Sequence, residues 1–188
     1  MRDMAEIDMM QSLITAAQSG SDYAFTRLVR LHQSSVRAFL RRLCKTDVSL
    51  ADDLAQECFL KAHGKMGSYD GEGSFLSWLF GIAYRIFLDD YRKRKRRKLL
   101  DIERSACAPV ESIAPNIDMK LDLERALSFL KIEERTAITL CLTSGMSHSE
   151  AAQIMDMPLG SVKSHIARGR TKLAEALHVW KKERLQSE

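Results

Sequence analysis

The stretch GMSHSEAAQIMDMPLGSVKS, residues 145–164, decides the fold. Gly145 breaks the chain, and Ser147 with Glu150 three residues on is a capping box. Ala151-Ala152-Gln153-Ile154-Met155 is the body of a short helix. Asp156 and Met157 make a turn, and Pro158 stands where a new helix starts. Three positions carry the physics. Ala152 is small where two helices must cross closely. Asp156 tolerates the left-handed backbone of a sharp turn. Val162 supplies the apolar plug under the second helix. A short helix, a tight turn and a longer helix make a helix-turn-helix. The exposed start of the second helix offers Ser161, Lys163, Ser164, His165 and Arg168, donors suited to phosphates or base edges in a major groove.

Working outward, the second helix is expected over Leu159 to Glu183, with Val162, Ile166, Leu173, Leu177 and Trp180 inward. Upstream, Asp118 to Leu130 and Glu133 to Thr143 are amphipathic. Before them lies a connector, Leu99 to Asp118, with Pro109, Pro115, one basic and four acidic residues and no sustained periodicity. Residues 1–98 hold 17 basic and 12 acidic side chains, and residues 119–188 hold 11 and nine. Two basic blocks therefore flank an acidic linker. The expected division is 1–98, a linker over 99–118, and 119–188.

The first block is helical too. Phe25, Leu28, Val29, His32, Val36, Phe39, Leu40 and Leu43 recur at steps of three and four. Ser49 with Asp52 suggests a capping box opening a second helix, whose buried side is Leu54, Ala55, Cys58, Phe59, Ala62 and Met66 and which Gly67 ends. Its other side carries Asp52 with Gln56 and Asp53 with Glu57 at i,i+4. Like charges at that spacing repel mildly. The stripe is unsuited to DNA and fits a basic or helical protein partner; a merely solvated helix start is the bland alternative. A glycine-rich loop, Gly67 to Ser74, holds Tyr69. A long helix is expected from Phe75 to Lys98, with Trp78, Arg85, Arg92 and Arg96 on roughly one face, ending in seven consecutive basic residues that include Lys93. Aromatics beside arginines suit unpaired bases, which stack on them.

Composition excludes several classes. In 188 residues, 45% are hydrophobic, only 7% aromatic and only three are proline. With every periodic signal helical, the expectation is an all-α chain of two small domains joined by a flexible linker. The most apolar run, Phe75 to Leu88, contains Ser77 and Arg85 and is too short for a bilayer. The start of the chain lacks the apolar core of a signal peptide. Cys44, Cys58, Cys107 and Cys141 form no metal-ligand spacing, so they are expected as reduced thiols in a cytoplasmic protein without metal or cofactor. Asp52-Asp53 and Asp89-Asp90 are poor cation cages, because neighbours on a helix point ~100° apart. With no phosphate-loop or triad pattern either, no enzyme is expected.

These residues resemble a known family. Asp52-Asp53-Leu54-Ala55-Gln56-Glu57-Cys58-Phe59, then Ser74-Phe75-Leu76-Ser77-Trp78-Leu79, then Asp89-Asp90-Tyr91-Arg92-Lys93-Arg94 resemble region 2 of the extracytoplasmic-function sigma factors of the sigma-70 family. The stretch from Gly145 to Ser164 resembles their region 4. Both in order, with a short connector between, are strongly specific. The resemblance implies that Asp52, Asp53, Gln56 and Glu57 dock on the clamp helices of the RNA polymerase core. It implies that the loop with Tyr69 captures a flipped base of the −10 element, and that Trp78, Arg85, Arg92, Lys93 and Arg96 recognise and melt it. It assigns Ser161, Lys163, Ser164, His165, Ala167, Arg168 and Arg170 to the helix that reads the −35 element. Polymerase would supply all catalysis, and an anti-sigma factor would restrain the chain. Departures from the family pattern are Leu130-Lys131 where Leu-Pro is usual, Arg85 for a common asparagine, and His165 and Gly169 for a frequent arginine and alanine. Gly169 suggests a bend. The alternative function, a stand-alone helix-turn-helix regulator, leaves the acidic stripe and the aromatic–basic helix unexplained.

Overall fold

The computed structural model describes residues 2–45, 47–104 and 126–185. Among them every regular element is helical: α1 (Arg2–Gln18), α2 (Asp22–Leu43), α3 (Val48–Gly64), α4 (Phe75–Arg104), α5 (Ile132–Ile138), α6 (His148–Met155) and α7 (Leu159–Leu185). The all-α expectation holds. No described helix is long and apolar enough to cross a membrane.

Local chemistry sets the boundaries. Ser21 caps α2, its hydroxyl accepting the Ala24 amide at 3.3 Å. α3 is capped by Asp47, which accepts the Leu50 amide at 2.9 Å, and not by the expected Ser49. The helix begins at Val48, two residues before the start that a Ser49 cap would give, so Ser49 lies inside the first turn. The helix also ends before Gly67, at Gly64, and Met66–Ser68 form a 3-10 turn. α4 begins where Ser74 Oγ accepts the Ser77 amide at 3.0 Å. It runs on to Arg104, past Lys98, where the periodicity placed its end. The apolar stripe stops near Phe87, but Leu, Lys and Arg are good helix formers and carry the helix further. The α1 helix, which the sequence reading did not place, packs Ile14 and Ala17 against α2.

α2, α3 and α4 form the first block around Leu28, Phe39, Leu40, Leu54, Leu79 and Phe80. In the second, the expected helix from Glu133 to Thr143 divides into α5 and a π-helical turn over Thr139–Thr143. Ser147 and Glu150 form the expected capping box on α6, with the Ser147 amide donating to Glu150 at 2.8 Å. Asp156 is left-handed at φ 51°, and Val162 is fully buried, as the helix-turn-helix requires. Most of the expected helix from Asp118 to Leu130 lies outside the described residues, as do the acidic linker beyond Arg104 and Cys107. Leu177, expected inward, is 43% exposed.

Gly169 marks a close approach between helices. A Cβ there would collide with Ile138 Cδ1 and meet Glu134 Cβ at 3.5 Å, so glycine lets α5 lie directly on α7. Gly169→Ala is expected to cost ~0–2 kcal/mol, overpacking against the end of the Ile138 side chain being offset by the ~1 kcal/mol gained in helix propensity. Ile138→Val removes the colliding methyl. In urea denaturation the double variant should therefore lose less stability than the two single losses together; strict additivity would refute the contact.

The two blocks are packed against one another. Residues of both share one apolar cluster, in which Tyr84 and Phe80 of the first block join Leu140, Ile154 and Val162 of the second. α6 lies against α4, and α5 against α2.

Candidate nucleic-acid and partner interfaces

The acidic stripe lies on α3. Asp53, Gln56 and Glu57 are exposed, while Asp52 is half-buried and held by Arg41 at 3.2 Å and Arg37 at 3.8 Å, both from α2. Glu57 pairs with Lys61 at 2.8 Å, and Asp53 has no ion-pair partner among the described residues. Gln56 borders a groove of about 520 Å³ between α2 and α3, floored by Phe25, Val29 and Phe59. Leu60 stands at its edge, 76% exposed. The sequence reading missed Leu60, although an apolar side chain four residues beyond Gln56 on a polar face is the signal that marks it. An apolar groove next to the exposed carboxylates of Asp53 and Glu57 suits an amphipathic basic helix.

The second surface is on α4 and the loop before it. Gly71 and Gly73 take φ of 83° and 73°, and Asp70 accepts the Glu72 amide at 2.9 Å. These turns fold the loop back over Tyr69. It is 5% exposed, donates its hydroxyl to the Gly73 carbonyl at 3.0 Å, and packs its ring 5.4 Å from both Phe75 and Trp78. Burial raises the Tyr69 phenol above its ordinary range. In the free chain Tyr69 holds the loop in this shape. Trp78 is half-buried; Arg85, Arg92, Lys93 and Arg96 are exposed. Arg92 lies 3.8 Å from Asp89, whereas Lys93 and Arg96 carry no ion pair among the described residues. Arg94 is tied down by Asp90 at 2.8 Å and Asp47 at 3.4 Å.

The third surface is the start of α7. Lys163, Ser164, Ala167, Arg168 and Arg170 are exposed, with Ser161 and His165 half-buried between them. Arg168 donates to His165 Nδ1 at 3.1 Å and lies 3.8 Å from Glu134, so its guanidinium is held in place before any ligand arrives. Ser164 donates to the Gly160 carbonyl at 2.9 Å. Glu134 and Lys172, which orient this helix from below, were not singled out from the sequence: nothing local marks a carboxylate that will be buried by a helix 38 residues away.

The seam joins the second surface to the third. Ile154, Met155 and Asp156 of α6 face Tyr84, Arg85 and Arg92 of α4, and Glu150 and Gln153 face Trp78 and Arg85. The first helix of the helix-turn-helix therefore stands over the face of α4 that carries Trp78 and Arg85.

Comparison with known proteins matches this architecture. Residues 28–97 match the family Sigma-70 region 2, and residues 120–173 match Sigma-70, region 4. The chain is 31% identical over 165 residues to the ECF RNA polymerase sigma factor SigM of Mycobacterium tuberculosis, covering 88% of this chain and 83% of that protein. It is 32% identical over 181 residues to the ECF RNA polymerase sigma-E factor of Haemophilus influenzae, covering 89% and 94%. Among solved structures it resembles the sigma factor RpoE in complex with the anti-sigma factor NepR from Bartonella quintana, with TM-score 0.70, 31% identity, and 82% and 97% of the two chains covered. It also resembles CnrH in complex with the cytosolic domain of CnrY, with TM-score 0.67, 28% identity, and 91% and 98% covered.

Proposed function

The chain belongs to the extracytoplasmic-function RNA polymerase sigma factors of the sigma-70 family, and on that premise we propose how its three surfaces divide the work of promoter recognition. The groove between α2 and α3, with Asp53, Gln56 and Glu57, takes the clamp helices of the core enzyme. The α4 face with Trp78, Arg85, Arg92, Lys93 and Arg96 holds the −10 element once its bases unpair. Lys163, Ser164, His165, Arg168 and Arg170 enter the major groove of the −35 element, with Ser161 at the groove edge. The expected division of the chain at 1–98, 99–118 and 119–188 is kept as part of this reading, with α4 reaching into the connector. The chain works beside polymerase in the cytoplasm, and polymerase performs the chemistry.

The observation that carries this reading is the segregation of charge. Asp53 and Glu57 stand exposed on α3, whereas the exposed ends of α4 and α7 carry Lys93, Arg96, Lys163 and Arg170, none of them in an ion pair among the described residues. A stand-alone regulator has no use for the first surface. The packed seam bears on restraint. With α6 over Trp78 and Arg85, the free chain offers its α4 face to DNA poorly. A partner that holds the two blocks together would keep it idle, and the solved relatives named with NepR and CnrY support an anti-sigma factor in that role.

Run-off transcription on a randomised promoter library tests the whole. The chain with core polymerase is expected to initiate at defined sites, and the chain alone to retard promoter duplex only weakly. Absence of any association with core, or tight palindrome-specific binding without it, would overturn the reading.

A further inference from the structure

The seam also holds a cavity that promoter recognition does not use. It measures about 590 Å³ and lies where the end of α2, the second half of α4 and α5 meet. Leu43, Phe87 and Tyr91 give it apolar walls, and Lys45, Lys95 and Arg135 line it with positive charge. Arg135 is only 3% exposed, yet its Nε and Nη1 have no hydrogen-bond partner among the described residues. A guanidinium taken out of water without acceptors is strongly disfavoured. The neighbourhood makes this worse. Burial, and after it the charge of Arg135, pull the Lys45 ammonium below its ordinary range. Asp90, the one carboxylate in the lining, is already engaged by Arg94 at 2.8 Å. Among the described residues, three cations thus converge on a roomy cavity whose one carboxylate is already paired with a fourth.

We propose that this seam binds a phosphorylated small molecule of nucleotide size, with its phosphates on Arg135, Lys45 and Lys95 and its ring against Phe87 and Tyr91. The number of uncompensated cations favours a multiply charged anion over a single carboxylate, and arginine is the side chain best matched to phosphate. The volume lies within the range of ordinary ligand pockets. Arg135 belongs to the second block and the two lysines to the first. A ligand held by all three fastens the blocks together and stabilises the packed arrangement by mass action. Its presence would keep α6 over the DNA face of α4.

Calorimetric titration of the full chain with ADP and with pyrophosphate tests this without polymerase or DNA, so its failure and a failure of the promoter reading are separable. Two variants remove the site while sparing the fold. Lys45→Gly relieves a left-handed backbone at φ 62°, and Arg135→Met removes a buried charge that has no partner. Both should melt no lower than the parent. The parent is expected to bind ADP saturably and more tightly than pyrophosphate. Each variant should weaken ADP at least tenfold and lose the rise in melting temperature that ADP gives the parent. A K93A/R97A variant of the exposed basic run should bind as the parent does. No saturable binding of ADP, equal affinity for the two probes, or loss of binding in K93A/R97A with retention in R135M would each overturn the proposal.

Discussion

Glu134→Ala is expected to lower the unfolding free energy of the C-terminal helices by about 3 kcal/mol, seen in urea denaturation and as faster amide exchange across α5 and α7. Glu134 is 2% exposed and serves two structures at once. Its carboxylate accepts the Lys131 amide at 3.1 Å, closing the N-terminus of α5, and receives Lys172 Nζ at 2.7 and 2.9 Å, clamping α5 to α7. Losing a cap costs ~1 kcal/mol, and losing a charge-assisted bond ~1.5–3 kcal/mol. Lys172 is 40% exposed and can turn to solvent once released, which keeps the loss below that of a fully buried pair. Arg168 also loses its anchor, so −35 binding should fall in parallel. Glu134→Gln keeps the volume and one acceptor and should lose about half as much. If both variants unfold with the parent, the carboxylate is incidental.

The same group predicts a dependence on pH. Burial pushes the Glu134 carboxyl up, but the Lys172 hydrogen bond and the Lys131 amide outweigh it and leave the group below its ordinary 4.5. A carboxylate lowered on folding gives its full stabilisation above the unfolded value and loses it as pH falls through the folded one. Stability of the parent should therefore decline more steeply than that of Glu134→Gln below about pH 4.5.

The helix-turn-helix was legible in the sequence because its determinants are local. Ser147, Glu150, Asp156 and Val162 act within a few residues of one another, and each does what its chemistry predicts. The acidic stripe was legible for the same reason, since helical spacing alone brings Asp53 and Glu57 together. Misreadings came where two residues competed or where a distant partner decided. Asp47 and Ser49 are both good caps, and only two residues separate them. Tyr69 sits among polar and glycine residues that look solvated, but the turn at Gly71 and Gly73 folds it onto Phe75 and Trp78. The seam was invisible, because nothing in α4 announces that Tyr84 will meet Ile154, 70 residues on. Arg135 was likewise unremarkable until α2 and α4 closed around it.

Reversing Asp53 and Glu57 together, Asp53→Lys with Glu57→Lys, is expected to reduce affinity for core polymerase at least a hundredfold. Both side chains are exposed. Asp53 has no ion pair among the described residues, and the pair of Glu57 with Lys61 is an exposed i,i+4 contact of the kind that contributes under ~0.5 kcal/mol. The fold should therefore survive, and the melting temperature should move by only a few degrees. Asp52 is left in place because Arg41 and Arg37 use it to join α2 to α3. The partner that suits this rim is basic, and like charges brought together across an interface cost several kcal/mol. At ~1.4 kcal/mol per decade, two decades need under 3 kcal/mol. Binding of the parent should weaken as salt rises from 50 to 300 mM, and the residual binding of the variant should not, since its favourable charge contacts are gone. Leu60→Ala, by contrast, removes apolar contact alone and should weaken core at all salt concentrations equally. DNA contacts through Lys163 and Arg168 lie on α7 and should be unchanged, measured as retardation of −35 duplex by the free chain. Unaltered core affinity in the double reversal would remove α3 from the polymerase interface. Loss of DNA retardation with core binding intact would mean that the two surfaces have been assigned the wrong way round.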